Sequence, residues 1–260
     1  MRLVALDVPP TLLDRANPVT RIVAAVLVTL PLLVTLDPVS GGVALALAFG
    51  MALVVGFRPA FVLHRTWPLL IAAPLASLSM ALYGRPSGRV HLDWYLVHVT
   101  DGSLQLAGAV FLRVLALGVP SILLFSGVDP TDMADGLAQV WRLPARFVLG
   151  TLAGFRLVGE MIADWRMLGL ARRARGLGDT GALRRFVTMA FALLVLAIRR
   201  GSKLATAMEA RGFGAPTPRT WARPSSVGRA DTVVVVVSAL MSLTAIGASV
   251  AAGTFNLVGA

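Results

Sequence analysis

The most specific chemical signal in the chain is a repeated tripeptide, Ala174-Arg175-Gly176 and Ala210-Arg211-Gly212, whose arginines stand 36 residues apart. Arginine then glycine suits a helix end. The cation favours the negative end of the helix dipole, and glycine adopts the left-handed conformation that closes the last turn. Taken singly, each tripeptide is an ordinary helix terminus. Framing one amphipathic segment, the pair offers two planar guanidinium forks on exposed ends. Each fork can reach a carboxylate or carbonyls in a groove of another protein, and the small flanking residues let the backbone come close. Glu209, just before the second tripeptide, and the distant Arg113 are the supporting candidates.

Other reactive side chains do not converge. The three histidines are His64, His91 and His98. His91 and His98 could meet across a hairpin, but no acidic cluster joins them at ligand spacing, so no metal site is expected. Asp93 and Asp101 are too isolated to form a carboxylate pair. Ser126-Gly127 and Gly201-Ser202-Lys203 come nearest to nucleophile or phosphate motifs. A phosphate loop needs G-x-x-x-x-G-K-[ST] after a strand, and Lys203 follows serine in a helical pattern. The chain therefore carries no ATP-binding motif and implies no cofactor, so energised work would need another subunit to hold the nucleotide. Arg113 lies inside an apolar run, where a charge is costly and faces protein or water. A structural bond to neighbouring carbonyls is its simplest role.

The elements that position these residues follow from composition. Of 260 residues, 57% are apolar and 14% charged, against about 25% charged in soluble domains. Long uncharged runs make this an all-α polytopic membrane protein. Five spans are expected: Ile22–Leu36, Val43–Phe57, Trp67–Tyr83, Leu104–Phe125 and Val233–Phe255. Arg58–Arg65 reads as a short basic connection. Residues 84–103 read as an external loop with a short hairpin. The first 21 residues, with two Asp and three Pro, do not resemble a cleaved signal.

Residues 128–229 differ in kind. They hold 16 of the 24 basic residues and 7 of the 13 acidic ones, a balance of +9. Apolar residues there recur at helical spacing instead of in bilayer-length runs. Asp129-Pro130-Thr131-Asp132 is a helix start, with a cap, a proline in the first turn and acids near the positive end. Pro144 opens a longer helix on which Phe147, Leu152, Phe155, Ile162 and Trp165 can share a broad face. Arg156, Glu160 and Asp164 align at i, i+4 and i+8. Phe186–Ile198 is too short for an ordinary span and reads as a buried or interfacial helix. The expected division is thus a membrane bundle over 1–127, a region of long amphipathic helices over 128–230 and a last span in 231–260. The formal charge of +11 suits a cytoplasmic face, and no RNA- or DNA-reading motif accompanies it, so nucleic acid is not an expected partner. By the positive-inside rule, Arg2, Arg15, Arg21, Arg58 and Arg65 predict a multi-pass protein of the cell membrane with the N-terminus and residues 128–230 on its cytoplasmic side.

The same residues resemble a family, the transmembrane T component (EcfT/CbiQ-like) of energy-coupling factor transporters, ABC-type importers of vitamins and metal ions. The likeness is strongest over RARGLGDTGALRRF and RRGSKLATAMEARGFGAPTPRT. Met208-Glu209-Ala210-Arg211-Gly212-Phe213 fits the family's second motif without departure. Asn17-Pro18-Val19-Thr20-Arg21 resembles its opening, Asp129-Pro130-Thr131-Asp132 its entry into the coupling region, and Arg113 its arginine after the external loop. The resemblance implies a non-catalytic energy-coupling subunit in which 128–230 is the coupling domain. Arg175 would dock in one ATP-binding cassette ATPase and Arg211 in a second. A separate substrate-binding S component in the bilayer would topple to release its cargo. The alternatives are a membrane-embedded enzyme using His91, His98 and loop acids, or a permease acting alone.

Overall fold

A computed structural model describes residues 11–35, 37–84, 87–94, 97–177, 181–215 and 220–255, with the backbone alone at 91–94, 97 and 98. Arg2, Arg85, Asp179 and Arg219 therefore lie outside the described residues, as do the side chains of His91, Asp93 and His98. After a single 3-10 turn, Leu12–Arg15, the chain forms α1 (Pro18–Val34), α2 (Pro38–Val55) and α3 (Pro59–Tyr83). Two strands, β1 (Val90–Trp94) and β2 (Val97–Thr100), lead into α4 (Asp101–Leu124). Then come α5 (Pro130–Gln139), α6 (Ala145–Ala174), α7 (Ala182–Ala210) and α8 (Arg229–Ala251).

Local chemistry sets these starts. Pro18, Pro38, Pro59 and Pro130 each occupy a first helical position, where the missing N–H costs nothing and φ is already helical. Asn17 Oδ1 accepts from Val19 N at 3.1 Å, and Asp37 Oδ2 accepts from Ser40 N at 2.7 Å. Thr100 and Ser103 cap α4 reciprocally: Ser103 N donates to Thr100 Oγ1 and Thr100 N to Ser103 Oγ.

The chain divides into two compact units, one of residues 130–225 and one made of 11–129 with 226–255. In the second, α2, α3, α4 and α8 are long and apolar enough to cross a bilayer, and α1 is apolar over 17 residues, about 26 Å of helix. The protein is thus the expected all-α membrane protein. Small residues let its helices meet closely, as lipid-embedded helices require. Ala44, Ala48 and Ala52 form a buried row on α2 beside Ala116, Val119, Met241 and Ala245. At Gly118 an added Cβ would meet the tip of the Leu69 side chain, so α4 and α3 cross closely there and Leu69 would have to turn aside for a larger residue. Ser242 Oγ on α8 donates to Leu27 O on α1 at 2.6 Å. Leu63, Ile71 and Leu75 of α3 are exposed, as lipid-facing residues are.

One boundary is corrected. Arg58–Arg65 is not a connection, because Pro59 starts α3 and the helix runs through Arg65 and Trp67. The hairpin is present, with an irregularity between Val90 and Leu92. Its register sets Asp93 opposite His98, so His91 and His98 are not paired across it.

A buried arginine ties one end of this unit together. Arg21 is 3% exposed, at the start of α1. Its guanidinium donates to the carbonyls of Leu13, Leu124 and Ser126, and Asp14 lies 3.6 Å away. Beside it, buried Asp231 of α8 accepts from Asn17 N at 2.6 Å and from Gly228 N at 2.6 Å. The 3-10 turn and the ends of α1, α4 and α8 thus meet on two side chains. Arg21→Ala would remove the guanidinium from three carbonyls, of which Leu13 O keeps its bond from Ala16 N, and is expected to lower stability by about 3 kcal/mol. Arg21→Lys, with one charged centre in place of a fork, should cost less. Thermal unfolding in detergent checks this, and an unchanged Tm for Arg21→Ala would show the network to be idle.

Candidate functional site

Within residues 130–225 the two tripeptides end α6 and α7 in the same way. Gly176 has φ +71° and Gly212 φ +77°, the left-handed conformation that favours glycine. At the first end, Gly176 N donates to Arg173 O at 3.0 Å and Leu177 N to Arg172 O at 3.0 Å. At the second, Gly212 N donates to Glu209 O at 2.9 Å and Phe213 N to Met208 O at 3.0 Å. Both are complete Schellman closures, in which the chain beyond the helix bonds back to the last free carbonyls. The carbonyls of Arg172, Arg173, Met208 and Glu209 are satisfied by backbone, so neither arginine is needed to close these turns. Arg175 and Arg211 are exposed, and neither guanidinium is bonded to another described residue. Ala174, Ala210 and Glu209 are exposed as well. A Cβ on either glycine would meet nothing within 4 Å, so both ends are open to a close approach.

The helices beneath form an antiparallel hairpin. Trp165 meets Phe186 edge-on at 5.6 Å, and Arg172 Nη1 donates to Thr188 Oγ1 at 2.6 Å. Buried Met189 packs beside Gly169. Farther along, Arg200 Nη1 reaches Asp164 at 2.6 Å and Glu160 at 3.2 Å. Residue numbers fall on α6 as they rise on α7. Clefts of about 640 and 650 Å³ open between the helices towards either end, one lined by Trp165, Arg173 and Phe186, the other by Leu152, Met208 and Arg211. Arg173 and Ala182 line the same cleft, so Arg175 sits near the start of α7 and Arg211 at its finish. The 29 residues of α7 put the two arginines on the order of 40 Å apart.

The hairpin is held by polar register more than by a core. Met189 is the one large side chain fully buried on α6 and α7, whereas Phe155, Phe191, Leu194 and Ile198 are exposed. The Phe186–Ile198 segment, expected to be buried or interfacial, buries Met189 but leaves Phe191, Leu194 and Ile198 exposed. Arg156 bonds Thr131 of α5 at 3.2 Å. Gln139 holds the return strand through Arg223 O at 2.9 Å and Ser225 N at 2.8 Å.

The supporting candidate Arg113 is accounted for elsewhere. It is on α4 in the other unit, where its guanidinium donates to Leu32 O near the end of α1. Sequence reading passed over Arg21, Asn17 and Asp231 as structural centres. The signal available was a charge standing directly at the head of an apolar run.

Comparison with known proteins now adds a family. The sequence model of the CbiQ family, described as cobalt transport protein, matches residues 10–220. The chain belongs to that family. It is 28% identical over 191 residues to the energy-coupling factor transporter transmembrane protein EcfT of Limosilactobacillus fermentum, covering 66% of this chain and 70% of that one. The EcfT of Brevibacillus brevis is 24% identical over 241 residues, 88% of this chain and 91% of its own. That of Bacillus selenitireducens is 23% identical over 244 residues, covering 89% and 91%. The resemblance to the transmembrane T component of energy-coupling factor transporters therefore stands, and the chain is a transporter subunit.

The glycine closures give a local test. Gly212→Ala would place a Cβ in the left-handed region, at an expected cost of about 1 kcal/mol. Gly212→Asn should cost less, because asparagine tolerates that conformation. Chemical unfolding followed by circular dichroism measures both, and equal stability of all three forms would remove the closure from the account.

Proposed function

We propose that this chain couples ATP hydrolysis by two ATP-binding cassette subunits to movement of a separate substrate-binding protein in the bilayer, importing a vitamin or a metal ion. Residues 128–230 act as the coupling domain on the cytoplasmic side, together with the N-terminus, as the arginines flanking the short inner loops suggest. The observation that carries this reading is the pair of identical helix closures, which leave Arg175 and Arg211 exposed and unbonded at opposite ends of one hairpin. A spacing on the order of 40 Å exceeds the reach of a single groove built for one guanidinium, and it suits two subunits side by side.

In this reading each helix end inserts between elements of an ATPase. Ala174 or Ala210 and the following glycine let the backbone approach. The guanidinium finds a carboxylate or carbonyls away from water, where a fork with two parallel donors gains most. Closure of the ATPase pair on ATP then moves the two seats relative to one another. The hairpin, held in register by Arg200 between Glu160 and Asp164, passes that movement to the membrane. The chain contributes no catalytic group, and cargo recognition belongs to the substrate-binding protein.

Arg175→Ala or Arg211→Ala is expected to weaken ATPase association by about 2–5 kcal/mol, the usual cost of removing a buried interfacial charge. Arg→Lys should weaken it too, because an ammonium lacks the planar fork. Co-purification of tagged protein with its ATPases, together with cellular uptake, is the measurement. A double alanine variant that still co-purified and supported uptake would overturn the proposal.

A further inference from the structure

The membrane unit contains an apolar groove that coupling does not use. Its volume is about 460 Å³. The floor is buried Val28 of α1, Ala48 and Ala52 of α2, Leu123 of α4 and Met241 of α8. The groove exists because alanines face α8 there and no large side chain fills the gap. Among its lining residues only Arg15 and Ser238 are polar.

Its length limits what fits. On α8 the lining runs from Ala230 to Met241, about 16 Å of helix. Half of a roughly 30 Å hydrocarbon core is about 15 Å, so the groove traverses one leaflet. An apolar groove of that length, open at one end, suits an unbranched acyl chain.

The mouth is cationic. It lies at the end where α2 and α4 finish, α8 begins and the 3-10 turn sits. Arg15 lines it, Arg58 follows lining residue Phe57, and Arg229 precedes lining residue Ala230. All three are exposed, and none is paired with a described carboxylate. The neighbouring acids are engaged: Asp14 with Arg21, and Asp231 with the N–H groups of Asn17 and Gly228.

We propose that this groove binds one acyl chain of an anionic phospholipid whose phosphate is held by Arg15, with Arg58 and Arg229 beside it. A lipid tail is as apolar in the bilayer as in the groove, so the chain alone confers little selectivity. Selectivity comes from the headgroup, because guanidinium forks match phosphate and attract anionic lipid at the membrane surface.

The test uses the full chain in nanodiscs of mixed phosphatidylglycerol and phosphatidylcholine, with a trace of either lipid carrying a diazirine at the end of one acyl chain. After photolysis and digestion, phosphatidylglycerol is expected to label the peptides bearing Met51, Val55, Val237 and Met241 several-fold more than phosphatidylcholine does. Arg15→Gln with Arg229→Gln should bring that labelling down to the phosphatidylcholine level. Labelling of exposed Leu75 on α3 should not change. Val237→Trp, which fills the groove from a partly exposed wall, should suppress groove labelling by both lipids. The proposal is overturned if the two lipids label the groove equally, if labelling there is no denser than on α3, or if the arginine variants leave it unchanged. Loss of groove labelling in the assembled transporter would overturn it as well, by assigning the groove to a protein partner.

Discussion

The backbone carbonyl at a helix end is the constraint on which this structure turns. The last carbonyls of a helix lack an intrahelical partner, and in a bilayer no water substitutes. The protein meets that need in two ways. In the membrane unit, side chains supply some of the donors: Arg21 spends its guanidinium on Leu13, Leu124 and Ser126, and Arg113 donates to Leu32, while α2 and α8 close on left-handed Gly56 and Gly253. At the ends of α6 and α7, the backbone beyond a left-handed glycine supplies them, and Arg175 and Arg211 remain unspent. A guanidinium that closes a helix is structural. One released from that duty is available to another molecule.

The two units are held together differently. A membrane bundle gains little from burying apolar surface against lipid, so close backbone approach and internal hydrogen bonds must hold it. The alanine row of α2, the glycine at the α3–α4 crossing and the Ser242 bond from α8 to α1 serve that end. The hairpin of α6 and α7 has a different economy. Its ion pairs are partly exposed, with Arg200 37% and Glu160 55% accessible, so each contributes at most about 1 kcal/mol. They fix which residues face one another more than they hold the helices together.

Much of this was legible in the sequence, because much of it is local. Uncharged runs revealed the membrane helices. Asp129-Pro130 marked the start of α5, and Arg-Gly marked the two closures, since each depends on residues a few positions apart. Alternation betrayed the hairpin before α4. The start of α3 was misread because Arg58, His64 and Arg65 look like a polar break, yet a proline at the first position begins a helix whatever the polarity that follows. Arg21 escaped notice for another reason. Its carbonyl partners Leu124 and Ser126 lie over a hundred residues away, as does Asp231 from Asn17, and no periodicity encodes such a meeting. The sequence likewise offered no sign that Phe191, Leu194 and Ile198 stay exposed, since apolar spacing specifies a face without specifying what covers it.

Those exposed residues bear on how the hairpin of α6 and α7 would work in the proposed role. Two helices of 30 and 29 residues whose one large buried side chain is Met189 have too little core to resist bending on their own account. Helices of this length still transmit force along their axes, because each backbone hydrogen bond is in series with the next and the glycine closures extend that series past the last turn. Stiffness along the axis with little resistance between helices is a particular mechanical combination. It favours a change in the angle between α6 and α7 over a change in their length. If Arg175 and Arg211 are seated as proposed, a displacement of one seat against the other would open or close the hairpin about the Arg200 contact with Glu160 and Asp164. A weak, exposed ion pair is the right kind of pivot, since it sets register without locking the angle.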